Sequence, residues 1–304
     1  MKKELKNILV PIDFMPASYR AAEYAVRLAK RLNSEVHLLN VFETPGMLSK
    51  FFESGDLIVK VTNESKEKLV ELTQALADKE PGVKITNRVE RGKSYERILR
   101  VAKEIDARMI VMGENHEGDD MEQDLGSTVY HVTLKSPVPV LTMKGYVQEF
   151  GKSIVVPLDL TKETRKQLFS ALVYGLNYGA RIHLVSTLIA GIYMRKSLIF
   201  KKMQEVKKTL EENGVDCEVK IFEKSEDAPY VKVLEYADKI DAGMILVMTH
   251  QEGYKWDNYI GAFAHHIINH SKVPVLSLTS SATNFEFRDL MKTVVDPVGM
   301  FSKK

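Results

Sequence analysis

The chain states part of itself twice. KNILVPIDF at 6–14 returns as KSIVVPLDL at 152–160, and EVHLLNV at 35–41 returns as RIHLVST at 181–187. IDARMIVMGENHEG at 105–118 is matched by IDAGMILVMTHQEG at 240–253, and KSPVPVLTM at 135–143 by SKVPVLSL at 271–278. Four separated segments recur in one order, with length changes confined to the middle, so one folding unit has been copied. A period of roughly 140 residues is too long for a solenoid and implies tandem domains. The boundaries are 1–146 and 147–280, with a tail at 281–304. The 304 residues give each copy enough chain to bury its own core.

Inside each copy the hydrophobic period alternates. Asn7–Ile12 is a continuous β-rich run, the mark of a strand buried on both faces. Residues 18–32 set Ala22, Ala25, Val26, Leu28, Ala29 and Leu32 at helical spacing behind Ser18 as a candidate cap. Strand 35–41, an amphipathic helix near 63–79 (Leu69, Val70, Leu72, Leu76), strand 83–90, helix 94–105, strand 109–112, helix 126–135 and strand 138–143 complete the unit. Strict βαβ alternation predicts an α/β protein of two tandem open-sheet domains, each a five-stranded parallel sheet with helices on both faces. Ligands of such sheets lie at the carboxyl ends of the strands where the strand order reverses. Asp13, Val41 and Gly113 all fall at predicted strand ends. Pro139 and Pro274 fall within the last strand of each copy and predict edge strands, since proline cannot donate to a central ladder.

The loop that follows the fourth strand suggests a ligand. VMGENHEGDDMEQDLGSTVYHV at 111–132 runs from strand to Gly113, then to Gly126, Ser127 and Thr128 at a helix start, an arrangement that cradles phosphate. Between the glycines lie Glu114, Glu117, Asp119, Asp120, Glu122 and Asp124, without lysine or arginine. Two readings stay open: Mg²⁺ bridges acid and phosphate, or the acids form a solvated lid.

Composition closes other routes. The net charge of +2, with acids and bases interleaved, gives no nucleic-acid footprint. Cys217 is the single cysteine, so no disulfide framework or cysteine zinc site exists. The apolar run before Asp13 is too short for a signal peptide, and no stretch reaches the length of a membrane span. The expectation is a cytoplasmic protein with no membrane partner.

The residues P-I-D-F at 11–14, P-L-D-L at 157–160, G-S-x-x-x-x-V from Gly126 and the S-P-V-P-V ending resemble the universal stress protein family, over nearly all of residues 5–280. The resemblance implies an open α/β fold related to adenine-nucleotide α-hydrolases, and ATP binding in members that carry G-x2-G-x9-G-(S/T). In the first copy Gly113, Gly126 and Ser127 match that motif, while His116 stands at the second glycine. The adenine-side positions implied are Pro11, Asp13, Val41 and Met112, with Thr128 beside the hydroxyl position. In the second copy the aligned residues are Met248, Gln251, Gly261 and Ala262, which implies loss of the nucleotide there. Family dimers pair their last strands. The two copies are therefore expected to pair within one chain, and other faces are left for a homodimer.

Other features admit two readings each. Asp13 either holds a ligand or fixes a turn. His266 and His270, at i and i+4, read as a packed pair rather than a metal face; His37 and His183, mid-strand, should face helices. Residues 44–62 either cover a pocket or pack ordinarily. Tyr254, Trp256 and Tyr259 either plug the second crevice or line an apolar site, and Phe285, Phe287, Leu290 and Met291 suggest a docked tail. No histidine accompanies Ser127 in the sequence pattern, so hydrolysis is not expected. The leading expectation is a stress-response binding protein with adenine nucleotide in the first copy. A slow Mg²⁺-dependent ATPase and a nucleotide-free scaffold are the alternatives.

Overall fold

Val-, Ile- and Leu-rich runs set the architecture, because each is buried on both faces and must lie between neighbours. In the computed structural model, which describes residues 7–43, 55–114, 125–145, 152–158, 165–189, 193–225, 227–249 and 260–279, these runs are strands of parallel sheet. The chain divides into two compact units, Met1–Asp120 with Gly126–Tyr146, and Met121–Leu125 with Val147–Lys304.

The first unit runs β1 (Asn7–Pro11), α1 (Pro16–Leu32), β2 (Glu35–Phe42), α2 (Gly55–Lys79), β3 (Ile85–Arg91), α3 (Ser94–Glu104), β4 (Ala107–Gly113), α4 (Ser127–Lys135) and β5 (Val140–Met143). Its strands pair in parallel in the order β3-β2-β1-β4-β5. The chain winds outward from β1 through β2 to β3, then crosses to β4 on the other side. The order therefore reverses between β1 and β4, the place where open α/β sheets leave a crevice. Their pairing reaches Leu9↔Ile110, and the strands part beyond it.

The second unit repeats the plan with β6 (Ser153–Pro157), α5 (Arg165–Tyr178), β7 (Arg181–Ile189), α6 (Tyr193–Glu212), β8 (Cys217–Ser225), α7 (Pro229–Lys239), β9 (Met244–Met248), α8 (Ala262–His270) and β10 (Val275–Leu278). Its order is β8-β7-β6-β9-β10, again parallel, with the reversal between β6 and β9. The pairing there ends at Val155↔Ile245, the counterparts of Leu9 and Ile110.

Several element limits differ from the sequence expectation, each for a local reason. Helix α1 starts at Pro16, not behind a Ser18 cap. Proline suits the first helical position because its fixed φ and missing N–H cost nothing there. Ser18 lies inside the first turn and its hydroxyl donates to the Met15 carbonyl at 2.9 Å. Helix α2 starts at Gly55, so 55–62 belong to it rather than to a joining segment; Val70 on its face is exposed. Pro139 and Pro274 precede β5 and β10 instead of lying within them. Their carbonyls accept from the Ile110 and Ile245 N–H groups at 3.0 and 2.9 Å, so each joins the ladder without needing a donor.

Candidate functional site

The turn out of β1 is built by Asp13. Its Oδ1 accepts from the Met15 N–H at 2.9 Å, an Asx turn that lets Phe14 adopt φ 64 and delivers the chain into α1. The Asp13 N–H in turn meets Ser18 Oγ at 3.4 Å. Asp13 is exposed at the carboxyl end of the sheet. Behind it, buried Asn40 on β2 donates through Nδ2 to the Ile12 carbonyl at 2.7 Å and fixes the end of β1.

Gly113, the last residue of β4, packs against this turn. A Cβ there would lie 2.1 Å from the Ala17 carbonyl oxygen and 2.8 Å from the Ser18 nitrogen. The first glycine of the motif is thus required by the close approach of β4 to α1. Gly126 differs. It is exposed, its φ of −52 suits any residue, and a Cβ would meet nothing within 4 Å. It caps α4, whose first residue, Ser127, presents an exposed hydroxyl at the positive end of the helix dipole. Thr128 is half-buried beside it. Pro11 is half-buried at the end of β1, Val41 half-buried on β2, and Met112 buried on β4. His116 and the acids at 117–124 lie outside the described residues. So do 44–54, Asp159, Gln251, Tyr254, Trp256, Tyr259 and the tail 281–304.

Glu114 needs a correction. Read with the acidic loop as part of a solvated lid, it is 4% exposed. Its N–H donates to the Met143 carbonyl at 2.9 Å, and its carboxylate lies 3.9 Å from Lys144 Nζ. Burial raises its carboxyl from 4.5 to about 7, against the lowering effect of Lys144, and burial likewise lowers Lys144. Arg20 on α1 donates from Nη2 to the Lys144 carbonyl at 3.2 Å. Sequence reading missed Lys144 and Arg20. The signal was available in the strand ends: Glu114 and Lys144 each follow the last residue of a neighbouring pair, Gly113↔Met143.

The second unit differs at the corresponding place. Gln167 on α5, buried, donates through Nε2 to the Pro157 carbonyl at 2.8 Å and the Leu246 carbonyl at 3.2 Å, bridging β6 and β9 where their ladder ends. Its counterpart in the first unit is Ala21. Met248 stands where Gly113 does, and Thr249 replaces Glu114. Thr249 Oγ1 donates to the Leu278 carbonyl at 3.1 Å, and its own carbonyl accepts from the Gly261 N–H at 2.9 Å. The N–H of Gly261, the residue that caps α8, is therefore engaged by the chain itself. Gln167 was not singled out in the sequence, where a glutamine on a helix carries no pattern.

The described histidines singled out in the sequence make packing and hydrogen-bond contacts within their units. His183 shares a hydrogen bond with Tyr236 on α7 at 3.0 Å, but His37 meets Thr86 on the neighbouring strand β3 at 2.7 Å, not a helix. His266 and His270 stack on each other and on Tyr230, and at the matching place His131 packs against Tyr95 with its ring tilted by 32°. Among the described residues no group of three His, Cys, Asp or Glu is placed to hold a metal, and no helix is long and apolar enough to cross a membrane. A cavity of about 550 Å³ lies in the second unit, bordered by Lys152, Leu176, Arg181 and Asp216. It sits at the amino ends of β6 to β8, opposite the crevice, and Arg181 there is already paired with Asp216 at 2.6 Å.

Comparison with known proteins agrees with the doubled plan. A model described as the universal stress protein family matches residues 4–144 and again 151–278. Universal stress protein MJ0531 of Methanocaldococcus jannaschii is 29% identical over 140 residues, covering 46% of this chain and 82% of that protein. Universal stress protein YxiE of Bacillus subtilis is 28% identical over 145 residues, 45% of this chain and 98% of that one. Among solved structures, a universal stress protein from Archaeoglobus fulgidus superposes with a TM-score of 0.75 at 20% identity, covering 91% of this chain and all of that one. At that identity the likeness speaks for the fold alone.

Proposed function

The chain belongs to the universal stress protein family, and from that premise we propose a stress-response binding protein whose first unit takes one adenine nucleotide at the β1/β4 crevice. The observation that carries the reading is the contrast at the two helix starts. Gly126 and Ser127 offer open backbone and an exposed hydroxyl, whereas in the second unit the Gly261 N–H is bonded to Thr249 and the hydroxyl position is Ala262. Phosphate at the start of α4 gains the helix dipole and unhindered main chain. In this reading Asp13 and Val41, near the ends of β1 and β2, are assigned to the ribose and base, with Pro11 and Met112 as apolar neighbours.

The role is binding rather than turnover. Bound nucleotide acts by changing the surface around Gly113 and Gly126, a shift in what the face presents to partners. Mg²⁺ accompanies the phosphates where acid and phosphate must be neighbours.

Gly126→Val tests the reading. The side chain enters open space with a compatible φ, so the fold and melting temperature stay as in the wild type while ATP binding is lost. Undiminished affinity in a folded Gly126→Val protein overturns the site.

A further inference from the structure

An acid buried at the mouth of an anion crevice is an odd choice, and the second unit does not repeat it at the equivalent position. In the first unit Glu114 and Lys144 form an ion pair with Nζ to carboxylate at 3.9 Å, the acid 4% exposed and the lysine side chain 17%. In the second unit, where Gln167 bridges the parting strands, the same two places hold Thr249 and Thr279, both buried and uncharged. A buried ion pair is a weak source of stability, since desolvating both charges offsets their attraction. Two hydroxyls do the packing in the other copy, so packing does not demand the charges.

The pair lies at the carboxyl end of the sheet, the end to which the chain returns between β4 and α4. Glu114 is one residue beyond the packed Gly113, and Lys144 is one residue beyond its strand partner Met143. Arg20 stands behind them, its Nη2 on the Lys144 carbonyl and its Nε buried without a hydrogen-bond partner. Other charged groups at this end are Asp13, whose Oδ1 is engaged by the Met15 N–H, Lys68, whose Nζ stands 5.4 Å over the Phe14 ring, and Glu43, which accepts from the Ser94 N–H.

We propose that the Glu114 carboxylate is the resident counter-ion of Lys144, that a nucleotide phosphate displaces it as the lysine's partner, and that Glu114 takes up a proton from solvent as this happens. The inference rests on the nucleotide reading of the first unit and adds to it a proton linkage. Two anions cannot share one partly buried ammonium without cost, and the cheaper solution is to neutralise the acid. Its carboxyl, already raised to about 7 by burial, needs little more to stay protonated near neutrality. Affinity for phosphate-bearing ligands then falls as pH rises above about 7, approaching tenfold per pH unit where a whole proton is taken up.

Calorimetric titration of the full chain with ATP in buffers of different ionisation enthalpy, between pH 6 and 8.5, counts the proton. Wild type takes up a substantial fraction of one proton at pH 8 and progressively less toward pH 6. Glu114→Gln removes that uptake and the pH dependence that it causes, leaving only the titration of ATP itself, and Lys144→Met weakens binding by about tenfold. Wild type that binds ATP with the same proton count as Glu114→Gln overturns the linkage while leaving the nucleotide site standing. Wild type that binds no ATP at any pH overturns both. The variants are checked for an unchanged circular dichroism spectrum, so that loss of fold is not mistaken for loss of the site.

Discussion

Two glycines of one motif do different work at the residue scale, and substitution separates them. Gly113→Ala drives a methyl into the Ala17 carbonyl, where backbone rather than a pliant side chain must give way. The expected cost is about 3 kcal/mol, read as a lower urea midpoint, in contrast with the unaffected fold of Gly126→Val. Glu114 gives a second residue-scale test. A carboxyl raised from 4.5 to about 7 favours the protonated form in the folded chain. The folded state then holds more protons than the unfolded one between those values, and stability declines as pH rises through them, by about 3 kcal/mol in all. Burial lowers His37 and His183, which act in the opposite sense and cost stability below about pH 6.5. Their share cancels when variant and wild type are compared. Unfolding free energies of Glu114→Gln minus wild type therefore shift in the variant's favour from pH 4.5 to 8, and a flat difference contradicts the buried acid. Residue types at this scale were legible in the sequence where a motif named them. Burial was not: Glu114 reads like its acidic neighbours, and only the register of β4 against β5 sets it apart.

Elements were legible where the hydrophobic period was long and uninterrupted. β1, β4 and α1 follow directly from their runs of Val, Ile, Met and Ala, and the βαβ alternation predicts parallel sheets. Element ends were harder, because they are decided by single backbone groups: Pro16 sets the start of α1 ahead of Ser18, and Pro139 stands outside β5 while its carbonyl joins the ladder. The bridging of the parting strands in the second unit is also an element-scale event. Gln167 reaches from α5 to carbonyls of both β6 and β9 at the point where these strands part. Gln167→Ala leaves two buried acceptors without this donor, at a cost of about 2 kcal/mol. Hydrogen exchange should accelerate in β6 and β9 and stay unchanged in β1 and β4; uniform protection in β6 would show that the bridge is dispensable.

Duplication with divergence is the theme at the scale of the whole chain. The same five-strand order occurs twice, with the same reversal and the same parting of the central strands. One copy keeps a small residue, Ala21, an open Gly126 and a charged pair at the crevice. The other bridges its strands with Gln167, bonds Gly261 to Thr249 and replaces the pair with threonines. The doubled plan was legible from the repeated segments alone, because a copied core must copy its apolar pattern. The asymmetry was only half legible: loss of Gly and Ser at 248 and 262 could be seen, whereas the side chain that bridges the parting strands had no motif to announce it. The most direct measurement is the stoichiometry of ATP binding by calorimetry on the full chain. The account predicts saturation at one nucleotide per chain. Two per chain would contradict the loss of the site in the second unit, and no binding at millimolar ATP would contradict the nucleotide site itself.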